Sequence, residues 1–374
     1  MSDPIVPLLL AWRKLKRSPV DIGSAANPRY RQLRELLDSA RERRRSGLTV
    51  LEGWHLLDSW LQQGGVVQTL VLPRRTVKRL HVGDRPAGTA IVGGRDADMN
   101  RMSVTHGIDT GRPAVQRSGA VPGSDPGQKQ GADAREGAVP ADRRAADRAS
   151  TERREAAFSL LSARWLILED PLFDSLDILP SPAPVLALVE TPKPMLPARI
   201  EGQDVVILDR VQDPGNVGTI IRTVAAAGIQ QIITTPGTAA CWSPKVLRAG
   251  MGGHFVLDLF ESVSYDALQS SLKIPLAATI LRGGQSLYET DLRPALAWVF
   301  GNEGEGVDPR LLQRLERGVT IPQLDTVESL NVAASAAVCL FEQRRQRSKW
   351  SRVPGPGMAS TGAIHTNVPN RANG

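Results

Sequence analysis

Cysteine is nearly absent from this chain: among 374 residues there are two, Cys241 and Cys339. Two cysteines build neither a disulfide framework nor a zinc-ligand spacing, so the expected setting is a reducing cytoplasm with no bound metal. Long apolar runs are missing as well. None approaches the roughly 20 residues that a membrane-spanning helix needs. The stretch from Pro4 to Trp12, with Leu8-Leu9-Leu10, is too short, and no basic segment precedes it as a secretory signal requires. No Gly-x4-Gly-Lys-Ser/Thr loop occurs, which argues against a nucleoside triphosphatase. Positive charge, in contrast, is in excess. Lys plus Arg number 46 against 39 Asp plus Glu, a formal net charge of +7 that suits a polyanionic partner.

Texture divides the chain. Residues 1–26 read as a flexible leader, with Arg13-Lys14-Leu15-Lys16-Arg17 beside the short apolar patch. From Asn27-Pro28 a helical period appears in Tyr30, Leu33, Leu36, Leu37 and Ala40. Around it stand Arg29, Arg31, Arg34, Arg41, Arg43, Arg44 and Arg45, a cationic face fit for phosphate oxygens. Gly47 ends that helix. A strand at 48–51, a helix at 54–62 and a strand at 66–72 follow, the alternation of a small α/β domain. From about 81 to 154, Gly, Ala, Pro, Asp and Arg dominate and no period holds, so a disordered insertion is expected. Strand-like segments return at 164–168 and 185–189, around a helical 171–176. The expected domains are therefore 27–190 with its insertion, a Pro-rich linker at 191–203, a second domain at 204–347 and a disordered tail at 348–374.

In the second domain, strands and helices alternate regularly: strand 204–208, helix 216–227, strand 231–234, helix 244–249 and strand 255–257. Helix 265–272, strands 276–280 and 297–300, helix 309–317 and a last strand and helix complete it. Such alternation with apolar strands predicts a parallel sheet covered on both faces. The last helix, 332–347, is apolar nearly all round and predicted to be buried, with polar Ser329 and Asn331 crowding its N-terminus. Gly301-Asn302-Glu303-Gly304-Glu305-Gly306 has the wrong glycine spacing for a dinucleotide loop, but glycines after a buried strand expose backbone to a ligand.

Three segments, in this order, resemble the three motifs of the SpoU/TrmH family of RNA ribose 2′-O-methyltransferases, of the SPOUT superfamily. They are Leu208 to Thr223, Phe300 to Val307, and Ile321 to Arg347. The resemblance runs along about 204–346, and residues 27–72 more loosely resemble the family's small substrate-RNA-binding domain. It implies an α/β fold whose C-terminal parallel sheet carries a trefoil knot, a homodimer formed through that knotted domain, and S-adenosyl-L-methionine as cofactor. Backbone at Gly301, Ile321 and Leu330, with a further contribution near Thr279, would hold the cofactor. Arg222, Asn216, Glu303, Ser329 and Asn331 would serve the transfer. Arg222 is a poor base, because its pKa lies above about 12, and is expected to position the ribose and stabilise charge. The plain alternative is a salt bridge to Glu303.

RNA is the implied partner, ribosomal over transfer RNA, met by Arg34, Arg41, Arg44 and Arg45 and by Lys245 and Arg248 of a Ser243 to Phe255 segment that also resembles the family. His254 in that segment reads as a core histidine. Two other readings compete: a non-catalytic RNA-binding or ribosome-assembly factor on the same fold, and a base methyltransferase. Loss of Arg222, Glu303 or Asn331 would point to the first, and all three are present.

Overall fold

The computed structural model describes residues 8, 11–15, 18–82, 159–176, 184–280, 283–324 and 329–348. The expected insertion, the expected tail and Asp325 in the third motif lie outside the described residues, apart from 81–82 at the start of the insertion and 348 at the start of the tail.

The N-terminal unit is a five-stranded mixed sheet in the order β1-β4-β3-β5-β2. Its strands are β1 (Val20–Ile22), β2 (Leu48–Glu52), β3 (Thr69–Pro73), β4 (Arg164–Leu168) and β5 (Leu186–Glu190). β5 runs antiparallel to β2 and β3, and the other pairs are parallel. Two expectations change here. Part of the presumed leader is structured: Val20 to Ile22 pair with Leu166 to Leu168, and Leu8, Ala11 and Ile22 are buried. A three-residue strand carries too little period to be read without its partner. The single arginine-rich helix is in fact two, α1 (Pro28–Asp38) and α2 (Ala40–Ser46), parted at Ser39, whose hydroxyl accepts from Glu42 N. α3 (Trp54–Gln62), α4 (Arg74–Val82) and α5 (Asp170–Asp174) complete the unit.

The C-terminal unit is a seven-stranded sheet, every pair parallel, in the order β10-β12-β9-β11-β6-β7-β8. The strands are β6 (Val205–Asp209), β7 (Gln231–Thr234), β8 (Asp258–Phe260), β9 (Leu276–Thr279), β10 (Gln285–Ser286), β11 (Ala297–Gly301) and β12 (Leu315–Thr320). Side chains alternate between two packed faces, as a doubly covered sheet requires. Val206, Leu208, Trp298 and Phe300 pack toward α6 (Pro214–Ala227) and α10 (Val332–Arg347). Val205, Ile207, Ile233 and Val299 pack toward α8 (Tyr265–Ser271) and Leu311 of α9 (Pro309–Leu312).

Three local expectations are corrected. The helix expected to reach residue 317 stops at Leu312, and Leu315 to Thr320 form a strand beside β9. Residues expected as a strand at 255–257 instead begin in a 3-10 turn (Gly253–Val256) after α7 (Pro244–Gly250), and the strand follows as β8. α10 is buried along one face only, through Ala333, Ala336, Cys339 and Leu340, while Phe341 is 47% exposed.

The two units pack as one. Thr49 Oγ1 of β2 donates to Trp242 O at 2.6 Å, Trp60 meets Phe255 edge-on at 5.2 Å, and Arg248 pairs with Glu52 at 3.3 Å.

Candidate functional site

Parallel strands deliver their C-terminal ends to one edge. β9, β11 and β12 end there at Thr279, Gly301 and Thr320, and the start of α10 closes the space. The result is a cleft of about 470 Å³, within the size range of small-molecule sites. Its lining includes Thr279, Gly301, Ile321 and Leu330, the positions expected to hold a cofactor, together with Glu303, Ser329 and Asn331.

Ile321 and Leu330 line the cleft, and their backbone N–H and C=O groups bond no described residue. That set suits the edges of an adenine and a ribose, which need paired main-chain groups more than charge. Gly301 is required by close approach: a Cβ there would lie 2.4 Å from Gly306 C. Among the described residues no three His, Cys, Asp or Glu side chains come together as metal ligands.

At the mouth of the cleft the three motifs are joined by hydrogen bonds. Asn331 Nδ2 donates to Asn216 Oδ1 at 2.9 Å, and Asn216 Nδ2 donates to Glu303 Oε1 at 3.0 Å. Asn331 Oδ1 meanwhile caps α10, accepting from Ala333 N and Ala334 N. Asn216 sits in the first turn of α6, which Asp213 caps through Asn216 N at 2.8 Å. Burial raises the Glu303 pKa, but the Asn216 amide and the backbone amides of Gln212 and Asp213 outweigh it and hold the carboxyl below its ordinary value. Glu303 is therefore an anion at neutral pH. The Ser329 hydroxyl bonds no described residue and stands open at the same mouth.

Arg222 is not brought into this group. It is exposed on α6 and, among the described residues, makes no ion pair, so the alternative salt bridge to Glu303 is not formed. Helix geometry explains the separation. Six residues beyond Asn216 lie about 9 Å along the axis and about 240° around it. Gly253 of the 3-10 turn packs close to the Arg222 Cα instead.

The cations expected to meet RNA divide into groups. Arg41, Arg44 and Lys245 are exposed. Arg34 lies 3.9 Å from Asp38, and Arg45 forms a two-pronged pair with Glu42 on the surface. Arg43 is buried, donating to Leu36 O and Leu37 O at the helix break. Arg248 turns to Glu52 between the two units and is not an open phosphate ligand. Its expected role came from the resemblance of the 243–255 segment, and only the docked β2 shows that Glu52 takes it up. His254 is buried as expected, its Nε2 3.0 Å from Cys241 O.

Residues the sequence reading missed surround the 302–308 loop. Asn302 donates to Arg210 O at 2.9 Å, and Arg210 pairs with Glu305 while adopting a left-handed φ of 57°. Asp209 is buried with three hydrogen-bond donors. The available signal was a carboxylate ending an otherwise apolar strand, since a buried charge is the informative exception.

Fold and cleft together define an α/β protein with an all-parallel sheet and a small-molecule-sized cleft at its strand ends. The profile of the SpoU rRNA Methylase family matches residues 203–341. An uncharacterized tRNA/rRNA methyltransferase of Synechocystis is 39% identical over 145 residues, covering 38% of this chain and 53%, about half, of that protein. The Bacillus subtilis 23S rRNA (guanosine(2553)-2′-O)-methyltransferase RlmP is 32% identical over 180 residues, covering 48% of this chain and 71% of RlmP. Among solved structures, an AdoMet-bound rRNA methyltransferase from Sinorhizobium meliloti shares the fold with a TM-score of 0.59 at 22% identity, over 87% of this chain and 97% of that one. The chain belongs to the SpoU rRNA methylase family.

Proposed function

We propose that this protein methylates a ribose 2′-hydroxyl in structured RNA, ribosomal rather than transfer RNA, using S-adenosylmethionine. The observation that carries the reading is the chain Asn331–Asn216–Glu303, which links all three motifs at the mouth of one cleft. Main chain at Gly301, Ile321 and Leu330, with Thr279, would hold the cofactor, which supplies an electrophilic methyl on a sulfonium. The amide chain orients Asn216, Asn331 and Glu303, so that the Glu303 carboxylate presents a held acceptor to the incoming ribose, with the open Ser329 hydroxyl beside it. Such preorganisation is the larger contribution in many enzymes. A Glu303 carboxyl with a lowered pKa is suited to accepting a hydrogen bond from the hydroxyl more than to removing its proton outright.

A homodimer belongs to the same proposal. The uncovered face of α10 carries Phe341, and the neighbouring α6 carries exposed Arg222. Arg222 would then act on RNA in the assembled enzyme, steadying the ribose and its phosphate, while Arg41, Arg44 and Lys245 contribute open phosphate contacts. The competing reading is an RNA-binding factor without turnover.

Calorimetry with S-adenosylmethionine in chelator, followed by methyl transfer to ribosomal and transfer RNA and mapping of 2′-O-methyls, separates the two. The proposal expects cofactor binding and a methylated ribose that disappears from total RNA of cells lacking the gene. RNA binding with no cofactor binding and no transfer would establish the alternative.

A further inference from the structure

The loop from Asn302 to Asp308 carries Glu303, and its attitude is set from outside the cleft. Within the loop, Asn302 and Gly306 exchange backbone hydrogen bonds of 3.0 Å, and Asn302 Oδ1 accepts from Gly304 N and Glu305 N at 2.9 Å. Those bonds determine the loop's curl. They do not determine its tilt toward α6, where Glu303 must reach Asn216. Tilt is held on the α6 side, where Asn302 Nδ2 donates to Arg210 O at 2.9 Å and Arg210 pairs with Glu305, and at the exit, where Asp308 N donates to Asp209 Oδ2 at 2.7 Å. Asp209 ends β6 and is the ladder partner of Gly301, the residue from which the loop departs. One carboxylate thus ties the end of the loop to the strand beside its start.

A carboxylate is an expensive tie at this place. Asp209 is 0% exposed and follows four buried apolar residues. It persists because its oxygens are well supplied with donors. Oδ1 accepts from Tyr265 OH at 2.7 Å and Thr235 Oγ1 at 2.9 Å, and Arg210 Nε lies 3.7 Å from Oδ2. Tyr265 is itself held, with the Arg310 guanidinium 3.7 Å over its ring. That guanidinium also grips the Asp308 carboxylate through Nε and Nη2 at 2.9 Å. Asp308 is therefore held twice, by its amide and by its side chain, and Tyr265 connects the two holds. None of Asp209, Tyr265, Asp308 and Arg310 lines the cleft.

We infer that Asp209 and Tyr265 are positioning residues for the proposed methyl transfer, acting through Glu303 by setting the tilt of its loop against Asn216. The inference rests on the methyltransferase reading above. Tyr265→Phe in the full chain is the sharpest test, because it removes one hydroxyl and leaves the ring beneath Arg310. The expected results are faster amide hydrogen exchange across 302–308 and a single-turnover transfer rate lower by about tenfold or more, the scale of a small misplacement at a reacting centre. In a Glu303→Gln background the same change should cost nothing further, since the group it positions is already gone. Asp209→Asn, which sets an N–H either against Asp308 N or against the hydroxyls of Tyr265 and Thr235, should have the larger effect in the same direction. Parent-like exchange and rate in Tyr265→Phe, or an undiminished loss in the Glu303→Gln background, would overturn the inference. A parent chain that binds RNA but methylates none defeats the functional reading instead. The exchange measurement then still decides whether Tyr265 tethers the loop, and an unchanged loop overturns the tether.

Discussion

Arg222 and His254 show how differently two singled-out residues can stand once folded. Arg222 is exposed and, among the described residues, unpaired. If it steadies the ribose in the assembled enzyme, Arg222→Ala should lower single-turnover transfer by about 100-fold or more, as loss of one charge-stabilising group commonly does. Cofactor affinity from calorimetry should stay near the parent value, because Arg222 does not line the cleft. A rate close to the parent on folded protein would remove it from the mechanism. His254 is a stability residue. Burial pulls its pKa from 6.5 to about 4, with the bond to Cys241 O only partly opposing. The folded protein keeps the ring neutral while the unfolded chain takes up a proton below about 6.5. Its contribution is therefore complete above pH 6.5 and lost as pH falls from there through about 4, amounting to about 3 kcal/mol. Urea titrations across this window should show the decline, and His254→Gln, whose amide can still donate to Cys241 O, should flatten it.

At the level of elements, the start of α10 combines two duties in one side chain. Asn331 Oδ1 caps the helix and Asn331 Nδ2 orients Asn216. Asn331→Asp separates them. The carboxylate keeps the cap, which is worth about 1 kcal/mol, but meets Asn216 Oδ1 with no proton to give. Melting temperature should stay near the parent value while single-turnover transfer falls sharply; an equal loss of both would mean the cap is the residue's whole role. The start of β12 carries the opposite lesson. Leu311, Leu312 and Leu315 have helical spacing, yet the helix stops at Leu312, and Leu315 pairs with Leu276 across the sheet. Local period lost to a ladder that only the folded neighbour supplies.

For the whole molecule, we propose the division into a small RNA-binding unit and a methyltransferase unit, docked against each other. Thr49 Oγ1 donating to Trp242 O is its buried centre. Thr49→Val would leave that carbonyl without its donor, costing about 1–3 kcal/mol. Denaturant unfolding should show the loss, and an unchanged midpoint would mean that the contact contributes little to joining the units.

Composition and order of residues were enough for the parallel sheet, because short apolar runs such as Val205 to Leu208 alternate regularly with helical periods. The resemblance of the three motifs singled out Gly301, Glu303, Ser329, Leu330 and Asn331, and all five line one cleft. What needed the tertiary structure were the pairings between distant segments. Arg248 found Glu52 across 196 positions, and Arg222 turned away from Glu303 because six residues of helix carry a side chain to another side. Asp209 reads in sequence as a mere strand end. Its meaning comes from Tyr265, 56 positions on, and Asp308, 99 positions on. Hydrogen bonds at such separations leave no period behind, so chain order cannot announce them and only the folded geometry does.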